Sequence, residues 1–595
     1  MTYWNADKIT KSLITYCDLS VDNDGTQYFL RTSPTSGKLI LTSCENNKLR
    51  FFESIRPGSH MYEYGGRSYH IHENTCYYIC SDSGFILSCD LVTEDKEIIV
   101  DNGIYCCPTY TSAGIIFLKD EIAEKNTCAI SIYSFEKKAV IELFSGYKYI
   151  SDVAIDTTKG SIAWVCGNSM PWESTNLYKA ILNGIDISKI TCIGDSSNVS
   201  YCEPQWGQDG ELYCINDSNN WWNIYRVEAD NNLTNICSLP NDFSKPAWVQ
   251  GKYNYSITND YIIANYLVDG YCQLITINLN DLQITKIPTE PGYIGELSNI
   301  VNSYFSYLIF TTNKLPCIYL YNLSTMSQQA VEKLDLQIPQ SHISIPEIIN
   351  IPNNTGNINC LYYPPTNEAD SSCPLLLKIH GGPTSMSYPG IDPKIQFWTS
   401  RNFAVLDVNY GGSSGFGREY RDLLYGNWGR KDVLDCITAI EYIFKEKPIN
   451  LQQVFARGSS AGGFTVLNIL GTSNIIKKAS CYYSVTDLES LTNSETNSLE
   501  NSYINSLVGK HLTKNELYVL SPISKVANIS TEVIFFQGLK DTVVLPEQSE
   551  VMFNALKDNG INCEYIEYPD EGHSFKSAEV IKDALEKEYV FFSTV

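Results

Sequence analysis

Two textures of hydrophobic patterning divide this chain of 595 residues. From about residue 20 to 340, short apolar and aromatic runs alternate with Asn, Asp, Gly and Ser turns. Helical periodicity is scarce, so this stretch is predicted to be all-β. A loose repeat runs through it. Cys107–Phe117, Asp152–Trp164, Glu203–Ile215 and Lys245–Val249 each read as the opening of a unit, and Asn223–Glu228 reads as a closing strand. Starts about 45 residues apart fit four-stranded propeller blades. The expectation is a seven-bladed β-propeller. A sandwich array or unrelated hairpins is the competing arrangement.

From 341 to 595 the pattern changes. Leu375–Ile379, Ala404–Val408, Gln453–Phe455 and Val533–Phe536 are short buried-strand runs, and helical spacing appears between them, as in Val433–Ile443. Alternating strand and helix predicts a doubly wound, mostly parallel sheet. Residues 1–19 form a separate segment. Ile9, Leu13 and Ile14 are spaced for one helical face, which is expected to pack on the second domain.

Composition narrows the function classes. A net charge of −24 argues against a nucleic-acid footprint or an anionic membrane surface. No apolar run reaches the roughly 18 residues a membrane span needs. The amino terminus lacks a basic stretch followed by an apolar one, so no secretory leader is expected. The 20 cysteines are scattered without a C-x-x-C pair and read as reduced thiols. The cytoplasm is the expected compartment.

Candidate chemistry centres on Gly458-Ser459-Ser460-Ala461-Gly462-Gly463, between the strand-like Gln453–Phe455 and the helix-like Phe464–Leu470. G-x-S-x-G between a strand and a helix is the nucleophile elbow of α/β-hydrolases. Spacing selects Ser460, since Ser459 would have Arg457 and Ala461 at the glycine positions. Gly411–Gly415 fits the same pattern around Ser413, but Phe416-Gly417 is a poor helix start.

A serine nucleophile needs a base, and the base needs an orienting acid. Of the seven histidines, His573 lies downstream in a suitable loop after the strand-like Cys563–Tyr568, while His511 reads as a surface residue. Asp541 follows the Val533–Phe536 strand and is preferred to Asp570, which shares the loop of His573. The order Ser460, Asp541, His573 is the order this fold uses. Oxyanion donors are expected from the backbone N–H of Ala461 and of Gly382, the latter in His380-Gly381-Gly382-Pro383. His380 is read as a structural loop histidine.

With these residues the chain resembles the prolyl oligopeptidase family of serine peptidases, closest to its acylaminoacyl-peptidase and dipeptidyl-aminopeptidase-like branch. The carrying motifs are His380–Thr384, Asp407–Tyr420, Gly458–Gly463, Gln537–Val544 and Glu571–Phe575, with Tyr62–Gly66, Met170–Trp172 and Glu203–Trp206 in the first half. The resemblance implies a propeller capping an α/β-hydrolase domain, an active site between the two, and short peptides as substrates. One departure stands out. Many members place a tyrosine hydroxyl in the oxyanion hole, and here that position is Phe416. Phe416 and Val544 are carried as substrate-binding positions. Dipeptidyl members hold a free amino terminus with acidic propeller residues, for which Glu63, Glu173 and Glu203 are candidates. No cofactor is expected, and His70, His72 and Glu73 are read as ordinary strand residues rather than metal ligands. Oligomeric state is left open. The alternatives are an esterase or a peptide-processing amidase or cyclase using the same triad, and a propeller binding module on an inactive hydrolase.

Overall fold

The computed structural model describes residues 3–33, 36–194, 198–335, 337–354, 356–367, 372–492, 498–510 and 512–594; His511 lies outside them. The chain forms two compact units. One is Ile14–Phe310 with Pro316–Leu334; the other is Met1–Leu13, Thr311–Leu315 and Asp335–Val595.

The first unit is a seven-bladed propeller. Its four-stranded antiparallel sheets follow one another along the chain, within 16–52, 69–100, 104–147, 149–194, 201–235, 255–287 and 292–330. Two details differ from the sequence expectation. Lys245–Val249 opens no blade. It lies in an irregular connection where Trp248 N–H turns back to Pro246 O, and the next blade starts at Tyr255. Asn223–Val227 is the third strand of its blade; the outer one is Leu233–Asn235. Outer strands such as Lys96–Val100 and Ser327–Ala330 are largely exposed, so they carry no apolar alternation to read.

Four innermost strands carry the same bulge. Asp18, Cys107, Asp152 and Glu203 each adopt left-handed φ values of 52° to 56°, and strand register slips at each of them. The bulge carboxylates reach the next blade. Asp18 Oδ2 accepts from Ser68 N–H at 3.1 Å, Asp152 Oδ2 from Glu203 N–H at 3.2 Å, and Glu203 Oε2 from Asn254 N–H at 2.6 Å. Every blade is one contiguous segment, so no strand exchange closes the ring. Glu296 of the seventh blade instead accepts the N–H groups of Asp18 and Leu19 in the first, at 3.1 and 3.0 Å.

The second unit is built on one eight-stranded sheet. Its strands are β1 (Glu347–Asn353), β2 (Gly356–Tyr363), β3 (Cys373–Ile379), β4 (Ala404–Asn409), β5 (Ile449–Ser459), β6 (Lys478–Tyr482), β7 (Glu532–Gly538) and β8 (Cys563–Tyr568). The order is β1-β2-β4-β3-β5-β6-β7-β8. The β1–β2 and β2–β4 pairs are antiparallel, and pairing from β4 to β8 is parallel. The order of β3 and β4 reverses relative to their place in the chain. Such reversals put loops from neighbouring strand ends around a common crevice. Helices α1 (Ala6–Ser12), α2 (Pro393–Thr399), α3 (Lys431–Glu446), α4 (Ala461–Leu470) and α5 (Ala578–Ser593) belong to this unit. Helix α1 is capped by the Asn5 side chain, buries Ile9, and packs on α5 and α2. Ile14 instead joins a propeller cluster with Phe29 and Leu308.

Candidate active site

Strand β5 ends at Ser459 and helix α4 begins at Ala461, which leaves Ser460 alone to reverse the chain. It does so at φ 55° and ψ −123°. A non-glycine residue held there costs on the order of 1–3 kcal/mol, so neighbouring structure must enforce it. The glycines show how. A Cβ on Gly458 would sit 2.3 Å from Gly462 O, and one on Gly462 would sit 2.3 Å from Ile379 O. The elbow is therefore wedged against the end of β3, and side chains at those positions would push the two apart.

The three residues selected from sequence converge. His573 Nε2 lies 2.9 Å from Ser460 Oγ, and His573 Nδ1 lies 2.8 Å from Asp541 Oδ2. The acid is fully buried and the imidazole one-fifth exposed. Asp541 Oδ1 accepts the N–H groups of Val543 and Val544, both at 2.9 Å, and Oδ2 also accepts from Gln537 Nε2 at 3.3 Å. A carboxylate held this way accepts the Nδ1–H, which leaves Nε2 free to accept the serine proton. Asp570, the rival acid, is exposed and pairs with Lys540 at 2.7 Å.

The loop after β3 runs beside the nucleophile. A Cβ on Gly381 would lie 3.5 Å from Ser460 Cβ. Among the described residues, the N–H groups of Ala461 and Gly382 donate to no protein group. Both are free to serve an incoming oxygen. His380 anchors this loop: Nδ1 lies 2.8 Å from Gly381 O, Nε2 lies 2.8 Å from Ser413 Oγ, and its ring stacks on Tyr410. Burial pulls the His380 pKa down to about 4, so the ring is neutral and donates to Gly381 O while accepting from Ser413. Ser413, the competing serine, is fully buried in that role.

Phe416 meets Tyr420 edge-on at 5.2 Å between ring centres. The Val544 side chain is almost wholly enclosed, and its backbone serves the acid: the N–H binds Asp541 and the carbonyl accepts from Gln537. Glu203 is buried among Ser244 and Asn254, Glu63 is exposed, and Glu173 accepts from Met170 N–H. His72 stacks on Tyr110. Among the described residues, no group of three or more His, Cys, Asp or Glu side chains is placed to hold a metal.

Tyr483 escaped the sequence reading, as did the supporting roles of Gln537 and Glu571, which head two of its motifs. Tyr483, at φ 38°, lays its ring 5.0 Å from that of His573. Gln537 braces Asp541. The buried Glu571 accepts the N–H groups of Lys576 and Ser577, both at 2.8 Å, which closes the His573 loop. Each sits within two residues of a strand end or a triad member, and that adjacency was the available signal.

Comparison with known proteins bears on the family and the fold. Residues 389–595 match the model of the prolyl oligopeptidase family. Through this segment the chain is similar to the prolyl oligopeptidase family. Relatives include an uncharacterized peptidase, YuxL, of Bacillus subtilis (strain 168), 25% identical over 56% of this chain and 50% of its own length. Another is dipeptidyl aminopeptidase BIII of Pseudoxanthomonas mexicana, 29% identical over 36% of this chain and 32% of its own length. The chain thus spans about half or less of the curated relatives it matches. The fold is that of a puromycin-hydrolyzing peptidase of Mycobacterium tuberculosis, with a TM-score of 0.92 at 23% identity, covering 100% of this chain and 96% of that one. It is also that of the Pyrococcus horikoshii acylaminoacyl peptidase, with a TM-score of 0.76 at 15% identity, covering 99% and 97%.

Proposed function

We propose that this chain is a serine peptidase that hydrolyses short peptides through an acyl-enzyme on Ser460. The observation that carries the reading is the unbroken hydrogen-bonded chain from Ser460 through His573 to Asp541, beside two unengaged backbone donors. Ser460 Oγ attacks the scissile carbonyl while His573 Nε2 takes its proton. Asp541 fixes the ring and stabilises the imidazolium. The Ala461 and Gly382 N–H groups receive the oxyanion. His573 then returns the proton to the leaving amine, and water repeats the sequence to release the acid. Phe416 has no hydroxyl to offer, so this reading assigns the oxyanion to backbone alone and gives Phe416 an apolar contact with substrate.

The names of the relatives favour an exopeptidase acting on acylated or free amino termini. Twenty free cysteines fit a reducing compartment such as the cytoplasm. A peptide-library digest read by mass spectrometry tests the substrate class, with puromycin as one arm because a structural neighbour hydrolyses it. Cleavage near the amino terminus of short peptides is expected. Full turnover by Ser460→Ala would overturn the mechanism. Turnover of esters alone, or cyclic products, would redirect it to an esterase or cyclase.

A further inference from the structure

The hydrolase unit holds a second cavity, of about 290 Å³, that neither Ser460 nor His573 lines. It lies between the ends of β3 and β5 on one side and α2 and α5 on the other. That volume is roughly ten water molecules' worth of liquid. Its chemistry is two-sided. Leu376, Ile395, Ile581 and Leu585 make an apolar wall, and Lys378, Lys394 and Arg457 face the same space.

Two of these cations have carboxylate partners. Lys378 Nζ binds Asp407 at 2.5 Å. Arg457 meets the buried Glu588 at 3.3 Å, a carboxylate it shares with Ser480 and Tyr482. The third has none. Among the described residues, the Lys394 ammonium makes no hydrogen bond or ion pair. The nearest wall carboxylate, Asp392, gives Oδ1 to the Lys394 backbone N–H. Burial correspondingly lowers the Lys394 pKa. An unpaired ammonium beside an apolar wall lacks one thing, an acceptor with a negative charge and a greasy tail.

We propose that this cavity binds a short aliphatic carboxylate, its oxygens on Lys394 and its chain against Leu376, Ile395, Ile581 and Leu585. An alkyl group suits the wall better than inorganic phosphate would, because phosphate would leave the apolar side unfilled. The class includes short fatty acids and the carboxyl products of peptide hydrolysis. Gly381, Ser459 and Ser574 also line the cavity. Each adjoins an oxyanion donor, the nucleophile or the base, so occupancy would be felt at the catalytic centre.

The test is direct binding of hexanoate, N-acetyl-leucine and hexylammonium by calorimetry, in the Ser460→Ala protein so that turnover plays no part. Hexanoate or N-acetyl-leucine should bind, and the tighter of the two identifies the source. Hexylammonium should not bind. Lys394→Met should weaken carboxylate binding at least tenfold, and Lys394→Arg should restore it. The folding of both variants is checked by their thermal transitions without ligand. No carboxylate binding in the parent protein, or equal binding after Lys394→Met in a folded variant, would overturn the proposal. Both results are independent of whether Ser460 is the nucleophile.

Discussion

Asp18, Asp152 and Glu203 in the propeller and Ser460 in the hydrolase unit share a left-handed backbone and a polar side chain. In the propeller that conformation recurs at one bulge in several blades, and each of these carboxylates is spent on backbone of the next blade. At the elbow of the hydrolase unit the hydroxyl instead meets a titratable ring. Repetition with satisfied partners marks a device that holds a ring together. A strained residue aimed at a base marks chemistry. Backbone strain alone does not separate the two; the destination of the side chain does.

The comparison can be broken from either side. The largest effect should come from Asp541→Asn, which reverses the hydrogen bond to Nδ1 and presents the wrong tautomer to Ser460. A loss of about 10⁴-fold in kcat is expected with unfolding unchanged, measured on any cleaved peptide. A loss below tenfold would remove Asp541 from the role. Next is Glu296→Ala in the propeller. It orphans two buried N–H groups and deprives the Lys252 ammonium of one of its two carboxylates. Removing one member of such a buried network costs about 3–5 kcal/mol, so the propeller transition should fall clearly in denaturant. An unchanged midpoint would show that the seam between the first and last blades is closed by other contacts.

His380→Ala should be smaller and should act on rate. Without its bonds to Gly381 and Ser413 the oxyanion loop loosens, and about a tenfold to hundredfold fall in kcat with little change in KM is expected. A change confined to KM would place His380 in substrate binding instead.

The last effect concerns pH. Burial pushes the Glu203 carboxyl up to about 7. Its pKa is higher in the folded state than in the unfolded chain, so stability is fully present below the unfolded value and is lost as pH rises through 7. The change is on the order of 3 kcal/mol. Glu203→Gln should flatten the dependence of the propeller Tm on pH between 5 and 8. Parallel profiles for the two proteins would assign that slope to other groups.

Much of this was legible in the chain, for physical reasons that differ by region. Gly458 and Gly462 announce the elbow because no side chain fits there. The doubly wound half is readable because its buried strands carry dense apolar runs, such as Ala404–Leu406 within the wholly buried Ala404–Asn409. Lys478–Tyr482 was missed although fully buried, because Lys, Ser and Cys break its apolar run and the Lys478 ammonium is satisfied by the carbonyls of Phe591 and Thr594. The blade count was readable from inner strands, but outer strands face solvent and carry little signal. That is why Asn223–Val227 looked terminal and Lys245–Val249 looked like a start. Tyr483 and the partner-free Lys394 depend on tertiary neighbours that no local pattern encodes.

Labelling of the native protein with a fluorophosphonate, followed by peptide mapping, tests the central assignment most directly. One adduct is predicted, on Ser460, absent in Ser460→Ala and greatly slowed in Asp541→Asn. An adduct on Ser459 or Ser413, or none in the folded protein, would contradict it.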